Sequence, residues 1–424
     1  MKSDKLKSIT NRIRGSHDAK ALLENFISLS ALKVLGFILP LVTLPYLSRV
    51  IGVGHFGDIA FANSIIVYFM TIMDYGFNYT ATRDLSKNRD DREYVRQLFW
   101  NVFYTKSFLL LISILIFIPL VEFVPLLREH RLLLWFTFLS VPCYMLFPEW
   151  YFQGMEKMKY ITMVNVISRI IFTVLIFIVI KESEDYVLHP LLSALGLFVA
   201  GMISLYIIVI RHTIYPIPIS WKAIKSYLHS GWDVFVSLIA PNLYSSTSTI
   251  FLQSFHGGVG SGLFSSGRRF ADIADQMALV VSRVFFPFLA RRPNKHHLYG
   301  RISLAIQLTS ILILILGADL IISLFYTEEF APSANVLRIM AVSLIFMYLS
   351  NTYGTNYLLL HGMERQNRQI VMYSSIIGLA ISYVLVWKLS YIGAALTFLI
   401  VRGAMGVPTW ILARKYMKNH PDKL

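Results

Sequence analysis

Between Gly262 and Arg292 the chain reads GLFSSGRRFADIADQMALVVSRVFFPFLARR, apolar enough for a membrane yet carrying Arg268, Arg269, Asp272, Asp275 and Arg283. On a helix turning about 100° per residue, Arg268, Asp272, Asp275 and Arg283 share a sector of roughly 80° with Leu279, and Gln276 and Arg269 lie just beyond its edge. Five such charges turned toward lipid would cost on the order of 12–17 kcal/mol, at roughly 2.5–3.5 kcal/mol each. The face must therefore look into protein or water. It is expected to form one wall of a wet, mostly cationic cavity, where the forked donors of arginine suit phosphate oxygens.

Other polar groups recur at helical spacing. Ser64, Tyr68, Thr71, Tyr75, Asn78 and Thr82 follow a 4-3-4-3-4 pattern that keeps them on one stripe, with Asp74 beside it. Asp233, Ser237, Pro241, Tyr244 and Ser248 repeat the arrangement around the run SSTST. Tyr68, Tyr75, Asn78, Tyr244 and Ser248 are thus candidates to line a cavity between two lobes with hydroxyl, amide and ring surfaces. The plainer reading is that hydroxyls bond back to their own helix or glue neighbouring helices together, and for any single Ser or Thr it is the commoner one. Lys33 can either snorkel to the interface or face the cavity. Glu149 and Arg169 are positioned to pair with each other across two helices, while Asp319, Arg338, Lys388 and Arg402 fit positions near an interface and carry no assignment.

These residues need elements to hold them. Of 424 residues, 56% are hydrophobic and only 15% charged, too apolar for a soluble core, so the chain is expected to be an all-α, polytopic membrane protein. Runs such as Phe108 to Val121 are almost continuously apolar, unlike the alternating strands of a membrane barrel. Windows of about 20 apolar residues place about twelve helices near 26–51, 57–82, 98–121, 132–152, 160–180, 188–210, 231–255, 261–290, 302–325, 333–360, 370–388 and 391–413. They group as a basic N-terminus (1–25), a first lobe (26–210), a linker (211–230), a second lobe (231–413) and a tail (414–424). Within the linker, WKAIKSYLH reads as an interfacial helix. Two glycine-rich turns, GVGHFGDIAFAN from Gly52 and GGVGSGLFSSGR from Gly257, stand six helices apart and suggest two pseudo-symmetric six-helix lobes.

The formal charge of +15 is not spread as nucleic-acid binding would require. Lysines and arginines concentrate in alternate connections, among them Arg83 to Arg96, Gln153 to Lys159, Arg211 to Lys225, Arg291 to Arg301 and His361 to Arg368. That asymmetry puts those segments and both termini in the cytoplasm. No cleavable signal is expected at the start, and the single Cys143 excludes an intrachain disulfide. Neither GxxxxGK[ST] nor HExxH is present, so neither a nucleotide, a metal nor another cofactor is expected.

The segments LPLVTLPYLSRVIGVGHFG, MDYGFNYTATRDLSKNRDD, FPEWYFQGMEKMKYITMVNVISR and GLFSSGRRFADIADQMALVVSRVFFPFLAR together resemble the bacterial oligosaccharide flippases of O-antigen and capsule biosynthesis. Those flippases share a superfamily with multidrug-extruding antiporters and peptidoglycan-precursor flippases. The resemblance implies a multi-pass protein of the bacterial inner membrane with twelve helices in two lobes. Its implied cargo is an undecaprenyl-diphosphate-linked oligosaccharide, moved to the outer leaflet, with membrane lipids and other polysaccharide assembly proteins as partners. Arg268 and Arg269 look like the arginine-bearing start of helix eight in that family, and Lys33 resembles a basic residue of the peptidoglycan-precursor relatives. Asp272 and Asp275 depart from a simple anion funnel. With Asp74 they are candidates to bind a coupling ion, proton or sodium.

Two other functions compete. A multidrug antiporter would use the same fold, but a face with three arginines disfavours cationic drugs. A glycosyltransferase or polymerase would need acid and base groups converging on a bond, usually under a large outer loop, whereas the expected outer loops are only a few residues long.

Overall fold

A computed structural model of the chain describes residues 41–291 and 293–420, so Lys33 and the first half of the first expected span lie outside the described residues. Among the described residues there is no strand. The described residues form twelve successive helices: α1 (41–51), α2 (53–87), α3 (Arg92–Phe123), α4 (Arg131–Gly154), α5 (Met158–Val179), α6 (Ser183–Arg211), α7 (221–256), α8 (258–291), α9 (His296–Leu316), α10 (Ser333–His361), α11 (364–389) and α12 (391–419). Among the described residues, eight helical stretches, two of them holding a pair of spans, are long and apolar enough to cross a membrane. The run Asn242–Arg291 is not among them: it opens on the hydroxyl-rich stretch SSTST and its second half is charged. It is tolerable in a bilayer only with that polar side turned inward.

Single residues in the left-handed region make the sharp turns. Gly52 (φ 68°) separates α1 from α2, and Gly257 (φ 66°) separates α7 from α8 at the matching place six helices later. Glycine reaches this region without the Cβ clash that other residues suffer. Ser390 (φ 52°) makes the same turn between α11 and α12. Within α2, Tyr75 and Gly76 both take positive φ and tilt the lower segment Phe77–Lys87 away from the upper one.

Each lobe has its own aromatic core. Phe61, Phe69, Phe117 and Phe138 interlock in the first, and Phe264, Phe330 and Phe398 anchor the second. Lipid tails are as apolar as these rings, so close van der Waals fit holds them together. The outer faces of α3 (Leu111, Leu115, Ile118) and α9 (Leu308, Leu312, Leu316) remain exposed at helical spacing, as lipid contact requires.

Two elements differ from the sequence expectation. The amphipathic run at Trp221 is not a separate interfacial helix: it continues unbroken to Ile239 as the lower half of α7. That half leans on the first lobe, where Trp221 meets Phe108, Tyr227 meets Phe77, and Phe235 stacks on Tyr75 at 4.7 Å. Pro241 then breaks the helix, and its upper half packs in the second lobe, with Tyr244 against Phe398. The helix expected over 302–325 is likewise two pieces, His296–Leu316 and Ala318–Phe325, divided at Gly317.

Candidate functional site

Between the lobes runs a cavity with two abutting chambers. The larger encloses 1120 Å³ between α2, α4 and α5 on one side and α7 and α8 on the other. The smaller, 410 Å³, continues from it between α2, α7 and α8, and Val67 and Gln276 line both. The larger chamber follows α2 down to the exposed Arg83, beside the basic connections. At the other end the lobes close backbone to backbone. A Cβ on Gly57 would lie 1.8 Å from the Gly258 carbonyl oxygen, and one on Gly262 would lie 2.1 Å from that of Val53. Gln253 Nε2 also donates to Asp58 Oδ1 (2.7 Å) across this seam, and the Val53 amide donates to Glu329 (3.4 Å).

The α8 wall carries the charges that the sequence placed there. Arg268, Arg269 and Asp272 line the smaller chamber, and Arg283 lines the larger one. Arg268 donates from Nε to Asp272 Oδ2 (2.8 Å), and its guanidinium lies 4.5 Å from the Phe398 ring. Asp275 faces differently. It turns away from the chambers toward Arg402 of α12, whose NH2 group lies 4.0 Å from its Oδ2 and 3.5 Å from Asp272 Oδ1.

The opposite wall is built from groups whose charges are matched within the first lobe. Asp74 lines the larger chamber and accepts from Lys106 Nζ at 2.8 Å. Glu149 accepts from Asn165 Nδ2 (3.1 Å), and Arg169 lies within its electrostatic reach. Asn78 donates to the Tyr144 hydroxyl (3.1 Å), so both present polar edges to the chamber. No group of three or more metal-ligating side chains occurs among the described residues.

Four residues expected in the cavity lie elsewhere. Tyr244 and Ser248 are buried in the second lobe, 6% and 0% exposed, because α7 turns this stripe toward α11. There Ser248 Oγ bonds back to the Tyr244 carbonyl (2.6 Å) and meets Ser382 Oγ (2.7 Å). The Tyr68 hydroxyl ties the lobes together, donating to the Asn242 carbonyl and meeting Thr247 Oγ1, each at 2.7 Å. Tyr75 is consumed by its stack on Phe235. Sequence reasoning missed Lys106, although a lone lysine inside the apolar third span carries the same desolvation cost that exposed the α8 charges. It also left Arg402 without a role.

A family model described as "Polysaccharide biosynthesis protein" matches residues 22–293. The chain belongs to that family. Curated relatives include a "Putative O-antigen transporter" of Escherichia coli (strain K12), 27% identical over 387 residues, covering 89% of this chain and 93% of the relative. One of the same description from Shigella dysenteriae is 24% identical, with 88% and 94% covered. Among solved structures, the inward closed conformation of the lipid II flippase MurJ superposes with a TM-score of 0.70 at 14% identity, over 93% of this chain and 87% of that one. An inward-facing multidrug MATE transporter gives 0.66 at 15% identity, over 90% and 95%. The chain is thus a multi-pass membrane transporter with a fold shared by flippases and multidrug exporters, and its family membership ties it to polysaccharide biosynthesis.

Proposed function

We propose that this protein flips an undecaprenyl-diphosphate-linked oligosaccharide repeat unit from the cytoplasmic to the outer leaflet by alternating access. The observation that carries the reading is the asymmetry of the interlobe cavity. One wall presents three guanidinium groups against a single carboxylate, Asp272, which holds Arg268, and the facing wall presents amides, a phenol and internally paired charges. A diphosphate gains charge-assisted hydrogen bonds from Arg268 and Arg269. The attached sugars occupy the larger chamber, where Asn78, Tyr144, Asn165 and Gln153 satisfy hydroxyls that about 30 Å of hydrocarbon would leave unpaired. The polyprenyl tail stays in lipid.

With the basic connections and both termini in the cytoplasm, the described conformation is closed on the outer side by the Gly57–Gly258 contact. Transport then requires that this contact part while the Arg83 end closes, the lobes rocking about the divided helix α7. Direction comes either from consumption of the flipped product by other polysaccharide assembly proteins or from an ion gradient acting through Asp74, Asp272 or Asp275.

The test is complementation of a bacterial strain lacking this protein. The Arg268→Ala/Arg269→Ala variant is expected to reach the membrane and leave surface polysaccharide absent, with drug susceptibility unaltered by the deletion itself. Full polymer production by that variant contradicts the reading. Drug sensitivity caused by the deletion favours the exporter function that the shared fold allows.

A further inference from the structure

Arg402 sits on α12 and is 5% exposed, behind α8 as seen from the cavity. Its NH1 group donates to Ser343 Oγ (2.9 Å), while NH2 faces Asp272 Oδ1 at 3.5 Å and Asp275 Oδ2 at 4.0 Å. The remaining oxygen of Asp272 is held by Arg268. Both guanidiniums lie over the same Phe398 ring, at 4.5 Å and 5.6 Å. Asp272 is therefore a bridge between a cavity arginine and a buried one.

We infer that Arg402 is a positioning residue that sets the sign of the anion site: it neutralises the aspartate pair so that Arg268 and Arg269 keep their charge for cargo. This rests on the diphosphate reading above. Around Asp272, three guanidiniums stand against two carboxylates and leave one net positive charge. A neutral side chain at 402 leaves none, and Arg268 is then wholly claimed by Asp272. Inside a poorly screened protein such a charge is felt by a ligand it never touches.

Among the described residues Arg402 Nε and Asp275 Oδ1 have no hydrogen-bond partner, so Arg402 and Asp275 face each other as charges 4.0 Å apart and not as a bidentate pair. Because Arg402 already supplies the positive charge, the Asp272–Asp275 pair needs no mobile cation in this conformation.

The experiment measures the affinity of the purified, full-length protein for undecaprenyl diphosphate, with thermal stability recorded in parallel. Arg402→Gln is expected to weaken binding on the order of 10- to 100-fold, and Arg402→Lys to retain most of it. Adding Asp275→Asn to Arg402→Gln restores the net charge and most of the affinity. Asp275→Asn alone raises the net charge and tightens binding above wild type, although it leaves a buried arginine less well paired. A purely structural Arg402 predicts the opposite for that last variant, which decides the matter even where Arg402→Gln fails to fold. Wild-type affinity in Arg402→Gln, or no tightening in Asp275→Asn, overturns the inference. Absence of binding by the wild-type protein overturns the diphosphate reading itself, and the inference with it.

Discussion

The two walls of the cavity are charged by different rules. On the first-lobe side every ionic group has a local counterweight: Asp74 has Lys106, Glu149 has Asn165 and Arg169, and Arg83 has Asp84 at 2.9 Å. On the α8 side Arg268, Arg269 and Arg283 face the chambers with only Asp272 among them. A balanced wall offers hydrogen bonds without favouring either sign of charge, which suits a neutral, hydroxyl-rich cargo segment. A surplus of guanidinium in a low-dielectric passage is costly unless an anion visits it. Under the proposed function, the glycan would lie against the first lobe and the diphosphate against the second.

Substitutions at the seam where the walls meet should have the largest effect. Gly57→Val puts a side chain into the Gly258 backbone, so the glycine-turn end cannot close and transport should fall to background. Labelling of a cysteine introduced on this seam would rise from slow to fast if the contact has been forced apart. Unchanged labelling would mean that closure there is not what separates the two conformations.

Next comes the balanced wall. Asp74→Asn leaves Lys106 charged, buried and unpaired, and should destabilise the protein by about 3–5 kcal/mol. Lys106→Met in the same background should recover most of that loss, because the pair is then uncharged and no desolvated charge is left without a partner. Thermal melts in detergent check both. A fully stable Asp74→Asn single variant would show that this wall is not internally matched.

Smaller effects sharpen the division of labour. Glu149→Gln keeps the shape and removes a charge from the glycan side. It should change transport of the native repeat unit by about 1–2 kcal/mol, or up to roughly thirtyfold, while leaving the affinity for undecaprenyl diphosphate alone unchanged. Equal losses for both ligands would erase the distinction between walls. Tyr68→Phe removes an interlobe tie and should cost about 1 kcal/mol of stability with little change in cargo selectivity. A selectivity change would return Tyr68 to the cargo-binding surface.

Much of this arrangement was legible in the sequence, for a single physical reason. Charges within a span are expensive, so the α8 arginines announce a passage without any structure, and glycines at matched positions announce the repeated turns. Lys106 was legible by the same rule and was overlooked. Helical periodicity tells which residues share a face but not what the face meets, so Tyr244 and Ser248 form a correct stripe that points into packed protein. Within PEWYFQG, Trp150, Tyr151 and Phe152 are buried core, and only Glu149 and Gln153 reach the chamber. Arg402 could not be assigned because its role depends on α12 packing behind α8, a contact between residues far apart in sequence.

Translocation of a fluorescent undecaprenyl-diphosphate-linked repeat unit, measured in vesicles holding this protein, tests the central claim most directly. The wild-type protein should move the lipid between leaflets. Arg268→Ala/Arg269→Ala should do so roughly 10²–10⁴-fold more slowly, since two charged donors contribute about 3–6 kcal/mol together. Equal rates for the two folded proteins would contradict the account, because the cargo would then cross without the guanidinium wall.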